Sequence, residues 1–217
     1  MTVIKPPQPE PAWLRPFLSF CHTKTYEKNV DFIHQGDPAD SLYYLVEGSV
    51  AALVEEEEHR ELIIAYINKG EFIGEMGLFL PQTNRSVMIR TRTRCRVAEV
   101  TYQRLERLLG SELKEHAKDF LFAVGRQLSN RLYQTSRKAG DLAFLDVAGR
   151  IARTLLDLTK EPDAMTHPDG MQIRVTRQEL GRIVGCSREM AGRVLKAMEQ
   201  EGEIYVKGKT IVVYGTR

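Results

Sequence analysis

The chain has 217 residues, of which 42% are hydrophobic and 28% charged, and a formal net charge of +2. This composition excludes a disordered chain and a membrane-embedded one, and the length suits one large domain or two small ones. No apolar run reaches the roughly 18 residues that span a bilayer, and the N-terminus MTVIKPPQPEPAW is proline-rich, unlike a leader, so a cytoplasmic protein is expected.

Charge and chemistry-bearing residues are unevenly placed. Residues 170–217 hold nine Lys/Arg against five Glu, a net +4, which leaves −2 on residues 1–169. A basic C-terminal segment on a slightly acidic body points to a polyanionic partner for that segment. Cys21, Cys95 and Cys186 stand far apart and form no CxxC pair, so reduced thiols are expected and a metal site is not. His22, His34, His59, His116 and His167 are scattered, and HExxH, GxSxG and GxxxxGK[ST] motifs are absent, so a metallo-phosphodiesterase or other enzyme has no support.

From Asp31 to about Val100, short runs rich in Tyr, Val and Ile alternate with turn signals at Gly36-Asp37-Pro38, Glu47-Gly48 and Lys69-Gly70. This pattern predicts many short strands closed into a sandwich or barrel. The acidic stretch EEEEHRE, residues 55–61, reads as a solvated hairpin loop. Within the next stretch, GEFIGEMGLFLPQTNRS at 70–86, Glu75 stands between Gly74 and Met76-Gly77, and Arg85-Ser86 follows ten residues after Glu75. Glycines let backbone amides approach an anion, arginine pairs with a phosphate bidentately, and an ionised glutamate only accepts hydrogen bonds. A Glu–Arg pair alone is more often a structural salt bridge.

After Thr101 the apolar period lengthens. Leu113, Ala117, Phe120, Leu121, Val124, Leu128, Leu132 and Thr135 recur at steps of three or four, predicting one long helix from Ser111 to about Arg137. Such a helix either packs within its own domain or pairs with a second copy. TSRKAGDLAF, containing Gly140, reads as a hinge, and a second helical pattern from Phe144 stops at Pro162. Three regions result: residues 1–110, a long helix at 111–139, and residues 140–217.

VTRQELGRIVGCSREMAGRVLKAMEQEG, residues 175–202, predicts two helices and a tight turn. Thr176 and Glu179 form a capping box, Gly185 breaks the first helix, and Ser187 caps the second. Leu180, Ile183 and Val184 supply the first buried face; Met190, Val194, Ala197 and Met198 are the expected buried positions of the second. Small residues at Gly181 and Ala191 suit a close helix crossing. Arg188, Glu189, Arg193 and Lys196 occupy the opposite face, where arginine suits guanine and glutamate suits cytosine N4 in a major groove. IYVKGKTIVVYGTR reads as a hairpin turning at Gly208, a wing with Lys207 and Lys209 set to meet phosphates. Arg177 and Ser187 complete the candidate DNA-binding set.

These segments together, chiefly LYYLVEGSV, GEFIGEMGLF, LAFLDVAGRIA, EPDAMTHPDGMQI, GCSREMAGRVLK and GKTIVVYGTR, resemble the cyclic AMP receptor protein (CRP/FNR) family of bacterial transcription regulators from about Cys21 to Arg217. The resemblance implies an α+β chain: an N-terminal β-jelly-roll that binds a cyclic nucleotide, a long dimerisation helix and a C-terminal winged helix-turn-helix. It places Glu75 on the ribose 2′-hydroxyl, with Gly74 and Met76 flanking it, Arg85 and Ser86 on the cyclic phosphate, and Thr135 and Ser136 near the base. It implies a homodimer that reads a pseudo-palindromic operator in double-stranded DNA. It also implies contacts with RNA polymerase through Thr166 and His167 and through a basic patch of His22 and Lys24, which Arg104 completes; an additional glutamate-rich loop falls on Glu55 to Glu58.

GEMGLF, IRTRTRC, REMAGRVLK and the length of GSELKEHAKDF are also similar to the Clp branch of the family, whose members answer cyclic di-GMP. That branch has an acidic residue after the arginine, whereas Ser86 keeps this position neutral, so cyclic AMP is favoured over cyclic di-GMP and cyclic GMP. A regulator that binds DNA constitutively is the remaining alternative.

Overall fold

The computed structural model of the chain describes residues 10–56, 60–81 and 84–216, arranged as two compact units. The first holds residues up to Val50 together with Ile67–Arg131, and the second holds Ala51–Tyr66 with Leu132–Arg217.

In the first unit a four-stranded sheet has the order β1-β8-β3-β6, from β1 (His22–Tyr26), β8 (Cys95–Thr101), β3 (Ser41–Glu47) and β6 (Phe72–Ile73). β2 (Asp31–Ile33) pairs antiparallel with β7 (Met88–Thr91). β3 buries Leu42 and Tyr44 on one face and Ser41 and Leu45 on the other, so the strand is covered on both sides. The sequence pattern predicted strands from Asp31 onward; β1 lies earlier, and its polar HTKTY has no apolar alternation to reveal it, because His22, Thr23, Lys24 and Thr25 are all exposed.

The core of this unit is aromatic. Trp13 and Phe17, from the turn that opens helix α1 (Leu14–Ser19) and from the helix itself, meet Tyr44 and Phe72 of the sheet and Phe120. Trp13 stacks on Phe72 at 5.6 Å and meets Phe120 edge-on at 5.3 Å. Aromatic pairs in such geometries add about 0.5–1.5 kcal/mol beyond the area they bury. Helix α2 (Tyr102–Gly110) starts at Thr101, whose side chain accepts from the Arg104 N–H, and contributes Leu105 and Leu108 to the same core.

β4 (Ser49–Glu56) and β5 (Arg60–Asn68) are neighbouring strands of one hairpin. Residues 57–59, in the middle of the EEEEHRE stretch where a solvated hairpin loop was expected, lie outside the described residues.

The long helix α3 covers Ala117–Phe144, 28 residues, after a 3₁₀ turn at Lys114–His116. It therefore starts six residues later than the periodicity predicted and runs through Gly140, where a hinge was expected. An isolated glycine costs a helix about 1 kcal/mol, which neighbouring Arg137, Lys138, Ala139 and Leu142 offset as good helix formers. The break comes at Leu145-Asp146 instead, where the Asp146 carboxylate caps helix α4 (Val147–Leu158) by accepting from the Gly149 N–H at 2.8 Å.

In the second unit, α4 precedes a sheet of order β11-β12-β10-β9, made by β9 (Met165–His167), β10 (Gly170–Arg174), β11 (Ile204–Lys207) and β12 (Thr210–Tyr214). Between β10 and β11 lie helices α5 (Arg177–Val184) and α6 (Arg188–Gln200). Ile151, Leu155, Leu180, Leu195, Ile204 and Ile211 are among its fully buried residues.

Phe17 is wholly buried among rings, so Phe17→Ala is expected to lower unfolding free energy by about 3–5 kcal/mol, the range for truncating a core aromatic. Urea denaturation followed by Trp13 fluorescence measures it; a loss below about 1 kcal/mol would mean that α1 is not part of the core.

Candidate functional site

The 70–86 stretch folds into a turn that presents charge on buried backbone. Gly74 takes a left-handed conformation, φ 83°, and starts a 3₁₀ turn over Glu75–Leu78. A Cβ at Gly74 would collide with the Arg85 guanidinium, so both conformation and space require glycine. A Cβ at Gly77 would collide with the Tyr102 phenol ring.

Glu75 is 2% exposed. Its Oε1 accepts from Arg131 Nη1 at 2.5 Å, while Oε2 is buried without a hydrogen-bond partner. Arg131 Nη2 donates to the Phe72 carbonyl at 2.7 Å, and one turn earlier on α3 the Gln127 amide both accepts from Phe72 N at 2.7 Å and donates to Phe72 O at 2.9 Å. The short strand β6 and the Glu75 turn are thus held by two side chains spaced i, i+4 on one helix. A buried ion pair is costly to leave half-made, about 3–5 kcal/mol when one partner is removed.

Arg85 is 9% exposed. Nη2 donates to the Ser41 carbonyl at 2.6 Å and Nη1 to the Tyr102 hydroxyl at 3.1 Å, and that hydroxyl donates in turn to the Gly74 carbonyl at 2.6 Å. Burial raises the Tyr102 pKa, opposed by the Arg85 charge, so the phenol is protonated and able to donate. The guanidinium also sits 5.5 Å from the centroid of the Tyr43 ring.

Of the predicted ligand residues, the structure brings Gly74, Glu75 and Arg85 together; Met76 and Ser86 are exposed on the same stretch. Thr135 and Ser136 are exposed on α3, Thr135 four residues beyond Arg131. Sequence reasoning missed Ser41, Tyr102, Gln127 and Arg131. The last two interrupt the apolar stripe of the long helix with polar residues one turn apart, which was the signal available. Among the described residues there is no cluster of three His, Cys, Asp or Glu able to hold a metal, and the three cysteines are unpaired.

In the second unit the predicted helix-turn-helix signals have the expected geometry. Thr176 Oγ1 accepts from Glu179 N at 3.1 Å, Gly185 ends α5 with φ 71°, and Ser187 Oγ accepts from Met190 N at 3.1 Å. A Cβ at Gly181 would lie 2.6 Å from the Cys186 carbonyl, so the turn passes directly over this glycine. Arg150 Nε donates to the Val184 carbonyl at 3.2 Å, satisfying one of the orphan carbonyls at the end of α5.

The buried face of α6 differs from the expected one. Ala191, Leu195 and Met198 are buried, Met190 and Val194 are half-buried, and Ala197 is exposed. The stripe is rotated by about one residue and includes Leu195, which was omitted from the expected set. Arg188, Glu189, Arg193 and Lys196 remain exposed, as do Arg177, Ser187, Lys207 and Lys209. Arg177 Cδ would lie 3.3 Å from a Cβ at Gly192, so the small residue on α6 makes room for the arginine of α5. The wing hairpin β11–β12 turns at Gly208, φ 65°. Thr166 and His167 lie on strand β9, paired with β10, and not in an open loop; His22 and Lys24 lie on β1, where Lys24 Nζ pairs with Glu99 Oε2 at 2.9 Å.

Residues 23–112 match the family model of the cyclic nucleotide-binding domain, and residues 149–214 match that of the Crp-like helix-turn-helix domain. The chain is 54% identical over 201 residues, 93% of its length and 87% of the relative's, to the CRP-like protein Clp of Xanthomonas oryzae pv. oryzae, and equally to that of Xanthomonas campestris pv. campestris. It superposes with a TM-score of 0.89 on the c-di-GMP-responsive global regulator CLP of Xanthomonas campestris, at 52% identity over 95% of this chain and 100% of that one. A CRP/FNR-family transcriptional regulator from Thermus thermophilus shares the fold, with a TM-score of 0.74 at 24% identity over 88% of this chain and 93% of that one. With its nucleotide-binding domain, long helix and helix-turn-helix in this order, the chain belongs to the CRP/FNR family of DNA-binding transcription regulators and is not an enzyme.

Proposed function

We propose that the chain is a homodimeric regulator whose affinity for a pseudo-palindromic operator is set by cyclic AMP bound at the Gly74–Ser86 turn, and that it contacts RNA polymerase through Thr166, His167, His22 and Lys24. The observation that carries the ligand reading is the buried Glu75 carboxylate, with one oxygen on Arg131 and the other unpartnered. An acceptor in that position calls for a neutral hydroxyl donor, which a ribose 2′-hydroxyl is. Ser86 supplies a neutral hydroxyl beside Arg85, so a singly charged cyclic phosphate would meet no like charge there. Thr135 and Ser136 add hydroxyls suited to a purine edge.

One observation favours a second reading, cyclic di-GMP: the relative of 52% identity is a c-di-GMP-responsive regulator. Calorimetry with cyclic AMP, cyclic GMP and cyclic di-GMP separates them. Cyclic AMP is expected to bind the wild type, and Glu75→Gln to weaken it by about 10- to 100-fold, the value of one charge-assisted hydrogen bond. Binding of cyclic di-GMP alone would replace this reading with the second. Arg85→Leu is expected to abolish the ligand's effect on DNA affinity; DNA binding that no cyclic nucleotide changes, in wild type and variant alike, would mark a constitutive regulator.

The dimer reading is supported by α3. Leu121, Gly125, Leu128, Leu132, Thr135 and Ala139 repeat at steps of four and three, and Leu121 and Leu132 are 42% and 70% exposed in the single chain. Leu132→Glu would face its own copy across such a seam, and sedimentation velocity at micromolar concentration is expected to show a monomer; a wild-type-like dimer would move the interface elsewhere.

Arg193 of α6 is assigned to base reading. Arg193→Ala is expected to cost about 1–3 kcal/mol on a specific operator and much less on random DNA, by fluorescence anisotropy at fixed salt. Equal losses on both would reduce Arg193 to a phosphate contact.

A further inference from the structure

The β4–β5 hairpin has a role beyond closing a sheet. Residues 51–66 belong to the same compact unit as the helix-turn-helix. Tyr66 on β5 donates its hydroxyl to Glu179 Oε1 at 2.6 Å, and Glu61 Oε2 pairs with Arg182 Nη1 at 2.9 Å. Glu179 and Arg182 are three residues apart on α5, hence neighbours on one face. Leu62 Cδ1 lies 3.9 Å from where a Cβ at Gly185 would stand, so the hairpin also reaches the glycine that ends α5.

The same strand is also held from α3. Lys138 of α3 donates through Nζ to the carbonyls of Ile63 and Ile64, at 3.0 and 2.9 Å. Burial lowers the Lys138 pKa and the nearby Asp157 charge opposes this; Asp157 is itself bound by Arg137 and lies 3.5 Å from Lys160. The hairpin is therefore held from α3 through its backbone and holds α5 through its side chains.

α5 and α6 are joined by three residues, Gly185 to Ser187, which pass over Gly181. An element that fixes the orientation of α5 thus also fixes α6. While Tyr66 and Glu61 are engaged, Arg188, Glu189, Arg193 and Lys196, and Lys207 and Lys209 of the wing, are exposed. The hairpin thus docks on a face of α5 that leaves the residues assigned to DNA exposed.

We propose that the β4–β5 hairpin is a positioning element for the recognition helix, with Tyr66 and Glu61 as positioning residues acting through Glu179 and Arg182, and Lys138 anchoring the hairpin to α3. The proposal rests on the DNA-binding assignment and stands whichever nucleotide the chain binds. Base reading demands an oriented helix, whereas attraction to phosphates does not, so loss of these contacts should reduce specific binding more than non-specific binding.

The test uses the full-length protein and an operator selected by the wild-type chain from random DNA. Tyr66→Phe keeps the ring and removes one donor; Glu61→Gln removes one charge from a partly exposed pair. Each is expected to weaken operator binding by about 3- to 10-fold, the scale of one such contact, with non-specific DNA affinity and melting temperature unchanged. Glu61→Arg should weaken it further by opposing Arg182, and combining it with Arg182→Glu should bind the operator more tightly than Arg182→Glu alone. Wild-type operator affinity in both Tyr66→Phe and Glu61→Gln would overturn the proposal. So would equal losses on operator and random DNA, or losses that track a lowered melting temperature, since those are the marks of a purely structural contact.

Discussion

The nucleotide-binding unit depends on how α3 grips the two residues of β6. A strand of two residues cannot hold its own position by ladder hydrogen bonds: Phe72 and Ile73 each pair with a single residue of β3. Gln127 closes both backbone groups of Phe72 and Arg131 takes a further bond to its carbonyl, so the strand is edged by side chains where another strand would otherwise lie. The Phe72 ring is simultaneously fixed among Trp13, Phe17, Tyr44 and Phe120. Backbone and ring together set the starting point of the Gly74 turn, and with it the buried carboxylate of Glu75.

Given that anchor, the electrostatics of the turn follow. Glu75 is tolerable in a buried position because Arg131 compensates its charge, and Arg85 because Ser41 and Tyr102 take its donors. The two guanidiniums are not equivalent. Arg131 is committed to protein acceptors through a charge pair, whereas Arg85 is held by neutral oxygens, which an anionic phosphodiester would outcompete electrostatically.

Legibility in the sequence followed how local each determinant was. Thr176, Gly185 and Ser187 act within three or four residues of themselves, and their caps and turn could be read directly from composition and spacing. The wing turn at Gly208 was equally local. The Glu75 turn could be found from its glycines, but its partners Arg131 and Gln127 lie more than fifty residues away, a pairing that only the fold creates. α1 escaped notice because its significance is tertiary: six residues with little helical signal matter because Trp13 and Phe17 complete an aromatic core. Gly140 misled in the opposite direction, since a glycine breaks a helix only when no neighbour supports it. Ala197 was assigned to the core of α6 on apolar character alone, where the larger Leu195 took the place.

The continuity of α3 through Gly140 bears on how a ligand signal travels. Arg131, on Glu75, and Lys138, on the hairpin carbonyls, are seven residues apart on one uninterrupted helix, two turns and about 10 Å along its axis. A flexible linker between them would dissipate a displacement; a continuous helix transmits rotation and translation together. A ligand that binds Glu75 more tightly in one setting of α3 than another shifts α3 toward that setting, and by reciprocity anything that favours that setting tightens the ligand by the same factor. The coupling requires no separate hinge at Gly140. Its upper bound is the difference in ligand affinity between the two settings of the helix, so a ligand that leaves the Glu75–Arg131 pair unchanged would bind without switching anything.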